Sequence, residues 1–141
     1  MSVWVTVATS LFSGVFATII TLVVTNALKK KERANQYKFE VFRELIAYRG
    51  DLVNGVASTG NFQRAINEVF IAYNDVEEVL KTFEEFRNSA NSGIRTPADN
   101  DRIVSQLTTL LKAMAKEISI DYSFANDDLF TRPVLIAKSK N

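Results

Sequence analysis

The chain contains no cysteine and no histidine. That excludes a disulfide framework, thiol nucleophiles, the usual zinc sites and every histidine-based acid–base mechanism. It also fits a reducing cytoplasmic compartment, although it suits the periplasm equally well. No phosphate-cradling glycine loop, nucleophile elbow or metal-ligand spacing occurs. The paired acids Glu77-Glu78, Glu84-Glu85 and Asp127-Asp128 are sequence neighbours, which point about 100° apart on a helix and read as solvated faces. No enzyme, catalytic residue, metal or cofactor is expected. The 17 basic and 16 acidic residues nearly cancel, so net charge gives no nucleic-acid signal.

Charge is absent from one place in particular. Val3 to Leu28 carries no charged side chain, and as a helix at about 1.5 Å per residue it would extend roughly 39 Å. The hydrocarbon core of a bilayer is about 30 Å thick, and a single run crossing it must be helical to pair its own amides. Lys29-Lys30-Lys31-Glu32-Arg33 follows at once, while Met1 and Ser2 bring no side-chain charge. The positive-inside rule then predicts a single-pass inner-membrane protein, N-terminus outside and everything from Lys29 in the cytoplasm. Trp4, at the outer interface, and Lys29, Lys30, Lys31 and Arg33, at the inner one, are the expected anchors on membrane lipid. A cleaved signal peptide fits less well: no basic residue precedes the run, and the run is too long.

Polar residues of this span cluster. At about 100° per residue, Ser2, Thr6, Thr9, Ser10, Ser13, Gly14, Ala17, Thr21 and Thr25 share one half of the helix, and the bulky apolar residues mostly take the other. Small and hydroxyl residues drive helix association in lipid, which predicts a homo-oligomer. Hydroxyls bonding back to their own helix are the alternative. Thr6, Ser10, Ser13, Ala17, Ile20 and Val24 follow the spacing of a seam that would line a pore in a left-handed bundle of spans.

No glycine or proline lies between Lys29 and Arg49, so the helix is expected to continue to about Arg49, with Tyr37, Val41, Leu45 and Tyr48 at helical spacing. A loop is expected over Gly55 to Gly60. One long helix is then predicted from an Asn61 N-cap to about Ser89, with an apolar stripe from Phe62 to Phe86. Asn88 to Arg95 reads as a loop. Thr96-Pro97-Ala98-Asp99 is a helix start, and a helix is expected to run to about Ser119. Leu129 to Ala137, with Pro133, is expected to form an extended tail. The predicted organisation is therefore all-α: a transmembrane helix over residues 1–28, a basic juxtamembrane helix over 29–49, and a cytoplasmic helical domain over 50–141 ending in that tail.

One constellation could bind a ligand. Arg43, Arg49 and Arg64 with Tyr37 and Tyr48 combine cations for phosphates with rings for bases, as in single-stranded nucleic-acid or nucleotide sites. Ion pairs with Glu40, Glu44 and Glu68 are the competing use of these arginines.

Three segments carry a resemblance: Val41 to Arg49, Arg64 to Phe70, and Leu110 to Ala115 followed by Ile118 to Tyr122. Together they resemble small bacterial and phage-associated proteins with an N-terminal span and a compact helical domain. Ser119 stands near a glycine of that family's pattern. Such proteins are similar to the membrane effectors of anti-phage operons, including the Hailong type, in which a small oligomeric membrane protein is regulated by a nucleotide-derived signal. The resemblance implies a homo-oligomeric pore or channel in antiviral defence, with a nucleotide or oligonucleotide signal and an operon partner protein. The alternative is a non-conducting anchored scaffold that holds a partner through its cytoplasmic helices.

Overall fold

The structure, a computed structural model, describes residues 3–53, 60–92 and 96–122, with side chains described over 17–50, 60–92 and 96–122. Four helices account for nearly all of them: α1 (Val3–Val53), α2 (Asn61–Ala72), α3 (Glu77–Ala90) and α4 (Pro97–Glu117). Among the described residues there is no strand, and the fold is all-α as expected. Of the loop expected over Gly55 to Gly60, residues 55–59 lie outside the described residues, as does the tail expected over Leu129 to Ala137.

The chain divides into two units between Gln36 and Tyr37. In the first, α1 is an unbroken helix, and its described side chains are exposed except for a half-buried Thr25. Ile19, Ile20, Leu22, Val23, Val24 and Leu28 are between 51% and 63% exposed. Among the described residues, no helix is long and apolar enough to cross a membrane. The side chains of residues 3–16 in the expected span lie outside the described residues. What remains, Ala17 to Leu28, is about 18 Å of helix, short of the roughly 30 Å a bilayer requires.

The second unit begins at Tyr37, inside the stretch over 29–49 expected to be the basic juxtamembrane continuation of the span. Lys38, Val41, Phe42 and Leu45 turn inward, and Val41 and Leu45 are almost wholly buried. They join one core with Phe62, Ile66 and Val69 of α2, Val79, Phe83 and Phe86 of α3, and Leu107, Leu110, Leu111 and Met114 of α4. Phe62 and Phe86 meet edge to face, ring centroids 6.4 Å apart, an arrangement that suits the ring quadrupoles. α1 also passes Gly50 and Asp51, where the sequence weakens it, and ends at Val53; one glycine costs a helix only about 1 kcal/mol.

The long helix expected from Asn61 to Ser89 is instead two. Tyr73, Asn74 and Asp75 form a turn between α2 and α3, with the Val76 amide donating to the Tyr73 carbonyl at 3.0 Å. Asn and Asp bond to nearby backbone and favour turns over helix interiors. The apolar period runs straight through this break and conceals it. Nor is Asn61 the N-cap: that position belongs to Gly60, whose φ of 79° is left-handed and costs glycine nothing.

α4 begins as its sequence predicts. Thr96 Oγ1 accepts from the Asp99 amide at 3.2 Å, and Asp99 accepts from the Thr96 amide at 3.0 Å, a reciprocal capping box behind Pro97. Its end is a left-handed turn at Ser119, φ 58°. The Ile120 amide donates to Ala115 at 2.9 Å and the Ser119 amide to Lys116 at 3.1 Å, the double bond of a Schellman motif. Serine pays roughly 1 kcal/mol for that backbone where glycine pays nothing. Ser119→Gly should therefore raise the urea midpoint with an unchanged slope, a gain of about 0.5–1 kcal/mol; an equal or lower midpoint would refute the strain.

Candidate functional site

The most unusual side chain in the second unit is Lys38. Its side chain is 4% exposed, and a buried ammonium is tolerated only when paired and hydrogen-bonded. It is both. Its Nζ lies 2.9 and 3.0 Å from the two carboxylate oxygens of Asp75 and 2.9 Å from Glu117 Oε1. Asp75 closes the turn between α2 and α3, and Glu117 is the last residue of α4. Three parts of the fold thus converge on one nitrogen.

Tyr73 completes the centre. Fully buried, it donates its hydroxyl to the Lys38 carbonyl at 2.9 Å, and the Lys38 ammonium lies 5.7 Å from its ring centroid, within cation–π range. The helix break is what makes this possible, since it places Asp75 in a turn beside Tyr73. A carboxylate at a helix C-terminus faces the negative end of the dipole, so Lys38 also offsets an unfavourable position for Glu117.

Burial works against charge on Lys38, but the hydrogen bonds it donates to Asp75 and Glu117, with their charges, outweigh it and hold its pKa above the ordinary 10.5. The same hydrogen bond to Lys38 holds Asp75 below its ordinary value. Burial, with the Glu117 charge, pushes the Tyr73 phenol well up. At neutral pH the centre is an ammonium, two carboxylates and a neutral phenol. A protonated lysine offers no lone pair for nucleophilic or base catalysis; this arrangement fastens elements together. Among the described residues, no group of three or more His, Cys, Asp or Glu could hold a metal.

The arginines and tyrosines expected to form a ligand site are distributed differently. Tyr37 is half-buried and bonded to Glu68, and burial together with the Glu68 charge raises its pKa. Arg64 pairs with Glu44 at 3.3 Å, both partly exposed. These contacts line one flank, where α1 meets α2. Arg49 turns inward, donates to the Ile46 carbonyl and has its pKa lowered by burial; Tyr48 packs against the core. Arg43 is exposed. Of the expected lipid anchors, Lys29, Lys30, Lys31 and Arg33 are exposed, and the Trp4 side chain lies outside the described residues. Of the expected seam, Ala17, Ile20 and Val24 are exposed, and the side chains of Thr6, Ser10 and Ser13 lie outside the described residues.

The second unit is an all-helical bundle closed around a paired lysine. Over residues 2–131 the chain matches the model of a family of unknown function (DUF6680), and it belongs to that family. No curated protein and no solved structure matches it.

Proposed function

We propose that the chain is a homo-oligomeric, single-pass membrane effector of antiviral defence, whose assembled N-terminal helices form a pore controlled from the cytoplasmic helices. The observation that supports it is the exposure of six large apolar side chains, Ile19 to Leu28, on a helix without a described neighbour over that stretch. Fully burying such a side chain is worth about 1.5–3 kcal/mol. Six of them half-exposed to water would forfeit something on the order of 6 kcal/mol, comparable with the whole stability of a small domain. Lipid and neighbouring spans would cover them. The uncharged run from Val3 and the basic cluster after it supply the length and orientation of the anchor. The resemblance to anti-phage membrane effectors supports the pore, a nucleotide-derived signal and an operon partner.

A non-conducting scaffold is the second reading, favoured by Thr21. Its hydroxyl donates to the Ala17 carbonyl at 2.9 Å, so it is satisfied within its own helix and requires no water-filled lumen.

Alkaline carbonate extraction of bacterial membranes, followed by light scattering of the full chain in detergent, tests the proposal. The chain should stay with the membrane and elute at a multiple of 15.8 kDa. Release into the supernatant would remove the anchor. A monomer would remove the pore, because one helix encloses nothing.

A further inference from the structure

Among the described residues of the second unit, two apolar patches are exposed, on opposite sides of the α1–α2 pair. On α1 the inward direction is marked by buried Lys38, Val41, Phe42 and Leu45. Tyr37 and Glu44, which meet Glu68 and Arg64 of α2, mark one flank. At about 100° per residue Phe39 lies on the other flank, away from α2, and it is 45% exposed. On α2 the inward direction is marked by Ala65, Ile66 and Val69, and Arg64 and Glu68 mark the flank toward α1. Phe70 then lies on the side away from α1, with Ile71 next to it on the outer face; they are 58% and 60% exposed.

Charge distinguishes the two patches. Arg43, one turn beyond Phe39, is exposed and makes no ion pair among the described residues. Asp75, four residues beyond Ile71, leaves its carboxylate side chain 64% exposed while it holds Lys38, and Glu77 follows it, also exposed. One patch is an aromatic ring beside a cation. The other is two apolar side chains beside acids.

We infer that these patches are the two halves of one interface between copies of this chain, Phe39 and Arg43 of one copy docking on Phe70 and Ile71 of the next. This rests on the homo-oligomer reading above and adds its geometry. Two complementary patches on opposite sides of a protomer cannot satisfy each other across a two-fold axis; they join head to tail, and such contacts close into a ring when the rotation allows. Anchors entering one bilayer from the same side keep successive copies related by rotation about the membrane normal. Opposite charges beside the apolar contacts fix the register and disfavour pairing of like patches.

The absence of cysteine makes the test direct. The full chain, in membranes, carries Phe39→Cys, Phe70→Cys, or both, and is treated with a short bismaleimide. The double variant should give a ladder of cross-linked multimers. A mixture of the two single variants should give dimers and stop there, and each single variant alone should stay uncross-linked. Dimers from either single variant alone would mean a two-fold contact and overturn the inference. No ladder from a double variant whose detergent mass remains multimeric would also overturn it, leaving assembly to the spans or the patches to another occupant such as residues 123–141. A chain that is monomeric throughout would remove the homo-oligomer reading itself.

Discussion

Replacing Asp75 and Glu117 together with alanine should destabilise the helical bundle by about 3–5 kcal/mol, whereas Lys38→Met should cost no more than about 1 kcal/mol. The asymmetry follows from where the burial lies. Lys38 is almost wholly enclosed, while Asp75 and Glu117 are 64% and 34% exposed in their side chains. Removing both carboxylates strands an ammonium in the core, the costly way to break a buried pair. Removing the ammonium returns two carboxylates to water already at hand, and methionine keeps the apolar stem. The bond from Tyr73 to the Lys38 main-chain carbonyl survives either change. A loss of 3–5 kcal/mol is a large share of the stability of a small domain. Urea unfolding of the full chain in detergent measures it. Equal losses in the two variants would mean that Lys38 matters through packing rather than charge.

The pH dependence supplies a second signature with opposite signs. In the natural chain the Lys38 pKa lies above the ordinary 10.5 and that of Asp75 below the ordinary 3.8. A raised pKa contributes stability that is complete below 10.5 and is lost as pH rises through the folded-state value. A lowered one contributes stability present above 3.8 and lost as pH falls through the folded-state value. Stability from this centre is therefore flat between those limits. In the double alanine variant the counter-charges are gone and only burial acts on Lys38, which lowers its pKa. The unfolded chain then binds more protons than the folded one, and the variant should gain stability as pH climbs toward 10.5. Tyr73, raised mainly by burial and further by the Glu117 charge, adds its own loss of stability above about pH 10, so the lysine is read from the slope below that pH.

Much of the fold was legible because it rests on local chemistry. Thr96, Pro97 and Asp99 announce their helix within four residues, and the spacing of Val41 and Leu45, or of Leu107, Leu110, Leu111 and Met114, marks faces that are in fact buried. The break at Tyr73 is hidden in the sequence. Its one local signal, Asn74-Asp75, is short, and an apolar stripe crosses it without changing period. Lys38 was invisible as a site for a different reason: its partners lie 37 and 79 residues away, and only tertiary packing decides that this lysine, unlike Lys29 to Lys31, points inward. Residue type alone misleads in the converse way, since Arg49 and Arg64 are both arginines but turn toward the core and the α1–α2 flank respectively.

Changing Ile20 and Val24 to serine should turn a closed assembly into a leaky one, with current across planar bilayers and toxicity on expression. The two lie one turn apart on the same side of α1 and are each about half exposed, 52% and 51%. In a bundle of spans they would form two successive rings of branched apolar side chains, the kind of constriction that excludes water and so blocks ions. No charged ring accompanies them in the uncharged run, so the expected current discriminates weakly between ions. Serine at both positions removes the apolar lining and offers hydroxyls to water. If this shifts the closed–open equilibrium by only about 1.4 kcal/mol, the open state is populated tenfold more. Leu22→Ser is the control, because it makes the change in polarity on the opposite side of α1, which the proposed bundle would turn to lipid, and should pass no current. Conductance from both variants would indicate general damage to the bilayer rather than a gate. Silence from the double variant, with its mass in detergent unchanged, would mean that the spans pack without a lumen, and the chain would then act as a membrane-anchored scaffold.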